Sequence, residues 1–286
     1  MLYLLLSIFF NAILFVIIKS FAKFNIDTLQ ALVVNYLVAF LVGVLFLDNQ
    51  TFSSSIFNQE WIIGSVFLGF LFIGTFYATA ITSQKNGLSV ASVASKMSVV
   101  IPILSGVLLF QEVLNSIKIG GIILALIAVY FTSKKEKGEV QSFGNLLFPT
   151  LVFVGAGTID ASLKYLQSHY LPENQVGIFS TVTFLFAFIV GIFLIGYKII
   201  FQQTKIKGRN VLGGIILGIP NYFSLFYLIK MLEAKAFQSA TLFTINNISI
   251  VILTSLVGML FFKENLNKRN IFGILLALLA IFLVTY

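Results

Sequence analysis

Two charged residues stand inside runs of apolar sequence, and they are the first candidates for chemistry. Lys96 follows Ser89, Ala91, Ser92, Ala94 and Ser95, about nine residues into a long apolar stretch. Asp160 sits in Thr158-Ile-Asp160-Ala-Ser162, inside another. An ammonium attracts a carboxylate or phosphate, and a carboxyl group held out of water is suited to taking up and releasing a proton. If both runs lie in hydrocarbon, each charge costs several kcal/mol and marks a functional site by default. Uncharged polar residues recur at comparable depth in the other apolar runs: Asn11, Asn35, Asn221, Asn246 and Asn247, with Tyr36, Tyr77, Tyr222 and Tyr227. An asparagine facing lipid would leave its amide unpaired, so these side chains must point inward. There they either bond helix to helix, each bond worth roughly 0.6 kcal/mol, or line a hydrated cavity.

The elements that must position these residues follow from composition. Of 286 residues 59% are hydrophobic and 10% charged, with no cysteine and one histidine. A soluble domain carries roughly 25% charged residues, so water cannot be this chain's main solvent. Ten runs reach the roughly 20 apolar residues that cross a bilayer. They fall near 2–20, 28–47, 61–83, 87–110, 115–132, 144–168, 174–197, 210–233, 237–261 and 268–285. Stretches such as Val99–Phe110 stay apolar on successive residues, which excludes a β-barrel. An all-α integral membrane protein with ten transmembrane helices is the expected fold. Residues 2–18 lack a basic start and a cleavage site, and read as the first span rather than a signal peptide.

Absent cysteine removes disulfides, thiolate metal sites and cysteine nucleophiles; no catalytic residue, cofactor or metal is expected. Gly155-Ala-Gly157-Thr-Ile-Asp160 lacks the third glycine and the preceding strand of a dinucleotide fingerprint, and no phosphate-binding Walker loop occurs. The net charge of +8 comes from basic residues between the apolar runs, a topology signal and not a nucleic-acid footprint.

Shifting the chain by 152 residues lays Gly87–Thr132 on Ser239–Val284 with 15 identities in 46 positions. The informative ones are Gly106, Phe110, Glu112, Leu114, Asn115 and Gly121, which fall on Gly258, Phe262, Glu264, Leu266, Asn267 and Gly273. The unit is five helices used twice. Five is odd, so the second copy is inverted in the membrane, an architecture that places a binding site near the midplane. The expected division is 1–133 for the first repeat, 134–143 for a charged linker and 144–286 for the second. Pro102-Ile-Leu-Ser-Gly106-Val-Leu-Leu-Phe110-Gln-Glu112-Val-Leu114 and Thr254-Ser-Leu-Val-Gly258-Met-Leu-Phe-Phe262-Lys-Glu264-Asn-Leu266 resemble the matching helices of the drug/metabolite transporter (DMT) superfamily, in its EamA-type ten-helix bacterial members. That family usually has proline at the start of both runs; Thr254 departs from the pattern. The resemblance implies a secondary transporter, a multi-pass location in the cell membrane and both termini in the cytoplasm.

Charge argues for the opposite orientation. Thirteen basic residues, from Lys19 and Lys23 to Lys268 and Arg269, lie at one side, against Lys118, Lys164, Lys230 and Lys235 at the side of the termini. The positive-inside rule then puts the termini outside. Glu112 and Glu264 are expected to be structural, at the starts of the last helix of each repeat. Lys19 and Lys164 are expected to snorkel to the interface, and Pro102 and Pro220 to kink their helices.

Export of small polar metabolites such as amino acids by alternating access fits these residues best. Lys96, Asn11, Asn35, Tyr77, Asn221, Tyr227, Asn246 and Asn247 would bind the substrate, and Asp160 would couple protons. Efflux of lipophilic cations is the alternative within the class, though Lys96 argues against it. A lipid-modifying membrane enzyme is a weaker alternative, because His169 falls in an expected loop with only Glu173 nearby. The expected partners are a small-molecule substrate, membrane lipid and protons, with no nucleic acid, in a monomer or homodimer.

Overall fold

The computed structural model describes residues 2–47, 56, 58–110, 115–133, 144–172, 175–233 and 239–285. The charged linker, Glu112, Glu173 and most of the turn-rich loop after the second span lie outside them. The described residues form eleven helices in chain order: α1 Leu2–Lys23, α2 Thr28–Leu45, α3 Ile62–Lys85, α4 Leu88–Met97, α5 Val100–Phe110, α6 Ser116–Ser133, α7 Gly144–His169, α8 Val176–Gln202, α9 Gly208–Glu233, α10 Ser239–Phe262 and α11 Lys268–Thr285. Among the described residues eight spans are long and apolar enough to cross a membrane, counting Leu88–Gly106 as one; α6 and α11, of 18 residues each, complete the set. This is an all-α integral membrane protein.

The one departure from the expected spans is the fourth, which is two half-helices. Pro102 has no N–H and its ring would meet the carbonyl four residues back. That carbonyl belongs to Ser98, which accepts from the Ile101 N–H at 2.9 Å instead. The chain therefore turns at Ser98-Val99 and α5 starts afresh. Pro220, by contrast, lies within an unbroken α9.

Helix ends are set by short polar side chains. Asp27 accepts from the Gln30 N–H at 2.9 Å to start α2, and Asn115 from the Lys118 N–H at 2.8 Å to start α6. Asn267 and Asn270 exchange backbone-to-side-chain bonds at 2.9 and 3.3 Å to start α11, a reciprocal cap.

Helices from the first 133 residues pack mainly on helices from the second half: α1 on α9 and α10, α2 on α8 and α9, α3 on α7 and α8, α4 and α5 on α7, and α6 on α11. Small residues allow the closest approach. A Cβ on Gly214 would stand 2.5 Å from the Ala31 carbonyl oxygen, and one on Gly218 2.7 Å from that of Asn35. Four residues apart on α9, these two glycines bring its backbone against α2, as small-xxx-small pairs do in membranes. The largest core joins α2, α3, α7, α8 and α9 around Tyr36, Trp61, Leu68, Phe179 and Tyr222.

Candidate functional site

Lys96 occupies the last turn of α4, just before the break, and is half-buried. The carbonyl end of a helix carries partial negative charge, so an ammonium is favoured there. The four residues after it are Met97, Ser98, Val99 and Val100, so the cation sits beside the one place where this span's backbone is irregular. Irregular backbone at membrane depth is tolerated where it is enclosed by protein or lines a cavity.

Asp160 reaches the same place from α7. A Cβ on Gly157 would lie 2.7 Å from the Ser98 carbonyl oxygen, so only glycine lets α7 approach the break this closely. Asp160 follows three residues later, on the same face of the helix. Its charge and that of Lys96 attract each other electrostatically. They do not form an ion pair, and among the described residues neither charged group has a hydrogen-bond partner. The Asp160 side chain is not covered by neighbouring helices. Two opposite charges thus attract each other beside a broken helix without forming an ion pair.

The polar belt divides. Asn221 Nδ2 donates to Asn35 Oδ1 at 3.1 Å, joining α9 to α2, and both are buried. Ser7 Oγ donates to Asn246 Oδ1 at 3.2 Å, joining α1 to α10. These three asparagines serve as helix-to-helix bonds, although Asn35 Nδ2 is left buried without an acceptor. Asn247 is buried and Asn11 half-buried; neither finds a hydrogen-bond partner among the described residues. Tyr77 packs half-buried between two cores, and Tyr227 stacks at 5.7 Å on Phe10 in an aromatic wall between α1 and α9.

Three expectations change. Glu264 is structural, but it caps α4 and not α11: its Oε1 accepts from the Leu88 N–H at 2.6 Å. Lys19 does not snorkel; its Nζ lies 2.9 Å from Glu264 Oε1 and donates to the Ser83 carbonyl at 2.7 Å. His169 ends α7 instead of lying in a loop, its Nδ1 3.1 Å from the Tyr165 carbonyl oxygen. Sequence reading also missed the Trp61–Gln175 bond (2.7 Å) between the starts of α3 and α8. The lone Trp beside a polar loop was its only signal.

With this geometry in place, comparison with known proteins shows what the chain is similar to. Residues 1–134 match the sequence model of the EamA-like transporter family. This first part of the chain is thus similar to EamA-like transporters. The match covers the first five spans, including the broken one with Lys96, and the family's members are DMT-type transporters. The chain is also similar to an uncharacterized protein of Haemophilus influenzae, 28% identical over 277 residues, which are 95% of this chain and 93% of that one. A solved crystal structure with 13% identity matches 97% of this chain and 96% of its own, at a TM-score of 0.60. At that identity the likeness is one of fold.

Proposed function

We propose that this EamA-like protein is a secondary active transporter exporting small polar metabolites, amino acids among them, by alternating access. The observation that carries the reading is the unpartnered pair at the helix break. A cation and a carboxylate that attract without forming an ion pair, in a chain with few charges inside its spans, are the groups a charged solute would engage. Leaving an ammonium in a membrane span without acceptors is costly, and a carboxylate-bearing substrate would supply them. Asp160, exposed within a span, needs water or a ligand on its open side for the same reason. It is the group to carry a coupled proton.

The packing supports a two-fold inverted repeat, since first-half and second-half helices pair reciprocally: α2 on α9 with α3 on α8, and α1 on α10 with α4 on α7. Asn11, Asn247, Tyr77 and Tyr227 remain the substrate-facing candidates from the belt. Asn35, Asn221 and Asn246 would join them only by exchanging an interhelical bond for a ligand.

The test is uptake by the purified protein in liposomes, screened across amino acids, nucleosides, organic acids and quaternary amines with and without a pH gradient. Transport of a carboxylate-bearing solute that Lys96→Ala abolishes is the expected result. Transport of quaternary amines alone would replace this reading with efflux of lipophilic cations. Orientation is checked separately by a reporter fused after Tyr286; the charge bias predicts that this end lies outside the cytoplasm.

A further inference from the structure

At the end of α4 opposite Lys96, a carboxylate from the second half of the chain holds the half-helix by its first turn. Glu264 Oε1 accepts from the Leu88 N–H and faces Lys19 Nζ, while Lys19 also donates to the Ser83 carbonyl. Four pieces of chain meet at these two side chains: the last turns of α1 and α3, the start of α4, and the connection from α10 to α11. Gly87 makes the approach feasible. Its φ of 115° suits glycine, and a Cβ there would lie 3.1 Å from Glu264 Oε2. That second oxygen is buried with no hydrogen-bond partner, as is Ser89 Oγ in the first turn of α4. A cavity of about 210 Å³ opens beside them, its lining including Lys19, Lys85, Ser89, Glu264 and Asn270.

We propose that Glu264 is a positioning residue for Lys96, a latch by which the second half of the chain grips α4, and that its release opens this basic end of the molecule. The inference rests on the reading of Lys96 given above. Three physical features lead to it. The ten-residue α4 is a rod about 15 Å long, so a displacement of its first turn carries to Lys96 in its last. The break at Ser98 uncouples α4 from α5, so the rod moves without dragging its own continuation. Finally, one oxygen carries both contacts, the helix cap and the ion pair. When it leaves, both are lost together, while its partner oxygen gains solvation it lacks in the closed form. Charge-assisted bonds close the latch, and the desolvated carboxylate keeps it from being irreversible.

The chain has no cysteine, so Ser89→Cys introduces a single thiol at a position 2% exposed. In proteoliposomes, its labelling by a membrane-impermeant maleimide reads the opening of this end without any substrate. Slow labelling is expected in the Ser89→Cys protein. Adding Glu264→Gln should raise the rate about tenfold, the ratio given by about 1.4 kcal/mol. Lys19→Gln, which leaves the cap in place, should raise it less. A control thiol at Ala277→Cys, fully buried between α6 and α11, should stay unreactive in both backgrounds. Unchanged labelling at position 89 would overturn the latch. So would a parallel rise at position 277, since Glu264 would then be a cap holding the whole fold. If the latch opens as expected but Lys96→Ala still transports, the latch stands, and what falls is the role of Lys96 and with it the positioning claim.

Discussion

The fourth span and α10 share a register 152 residues apart, yet one is broken and the other runs unbroken over 24 residues. The cause is one position. Pro102 removes an amide donor and crowds the Ser98 carbonyl, whereas its counterpart Thr254 keeps its amide and donates its hydroxyl back to the Ile250 carbonyl at 2.7 Å. Around the break the two copies diverge: Lys96 corresponds to Ile248, and Ala94 and Ser95 to Asn246 and Asn247. Beyond it they agree. Asn115 and Asn267 start α6 and α11 as caps, and Gly273 lets α11 meet α6 at Thr132. The repeat keeps residues where backbone geometry demands them and varies those in mid-span. The frame is near-symmetric and the charge is not: Lys96 has an apolar counterpart in α10.

The largest effect expected from this comparison is at its charged member. Lys96→Ala should reduce liposome uptake to background while expression and detergent stability stay near wild type. Ile248→Ala, at the matching position of α10, should leave uptake intact and cost about 1 kcal/mol or somewhat more of stability through lost burial. If Lys96→Ala instead misfolds and is rescued by Asp160→Asn, the two charges serve the fold and not the substrate. Next comes Asp160→Asn by itself. It should retain exchange of solute across the membrane but lose the response of net flux to an imposed pH gradient. A wild-type pH response in that variant would remove Asp160 from coupling.

Much of the fold was legible because hydrocarbon imposes a coarse rule: long apolar runs become helices. The all-α membrane fold and its spans follow from it. Pro102 and Pro220 both read as kinks, yet one breaks its span in two and the other leaves α9 continuous. A proline's effect depends on whether neighbours restore the lost bond. The role of Glu264 was hidden for a different reason. Its sequence neighbours are those of α11, while its partners Lys19 and Leu88 are 245 and 176 residues away. At the site, Lys96 and Asp160 were legible as costly charges. Gly157, which lets α7 approach the break at Ser98, was read only as part of a rejected nucleotide motif.

Exchanging the two decisive residues sharpens the comparison further. Thr254→Pro should break α10 as Pro102 breaks its own span, costing about 3 kcal/mol, read as a lower melting temperature in detergent. Pro102→Ala should act oppositely on structure. It returns an amide donor opposite the Ser98 carbonyl, and should stabilise the protein while slowing uptake several-fold, because α4 would no longer move independently of α5. Faster or unchanged uptake would mean that the break only shapes the site and does not serve as a hinge.

The smallest effect belongs to Thr254→Val, which separates the hydroxyl of Thr254 from its amide. Thr254 is fully buried and its Oγ1 donates to the carbonyls of Ile250 and Val251 at 2.7 and 3.2 Å. Valine keeps the shape and the backbone N–H. Removing one intrahelical hydrogen bond costs about 1 kcal/mol, but the carbonyls it served lie in an α-helix and keep their backbone donors. The methyl group that replaces the hydroxyl also sits better in an apolar interior. The two terms nearly cancel, so stability should change by less than about 1 kcal/mol and uptake should be unaffected. A loss of uptake as large as that in Pro102→Ala, with stability preserved, would show that α10 also flexes at this position. The functional asymmetry between the copies would then reduce to the charges at Lys96 and Asp160.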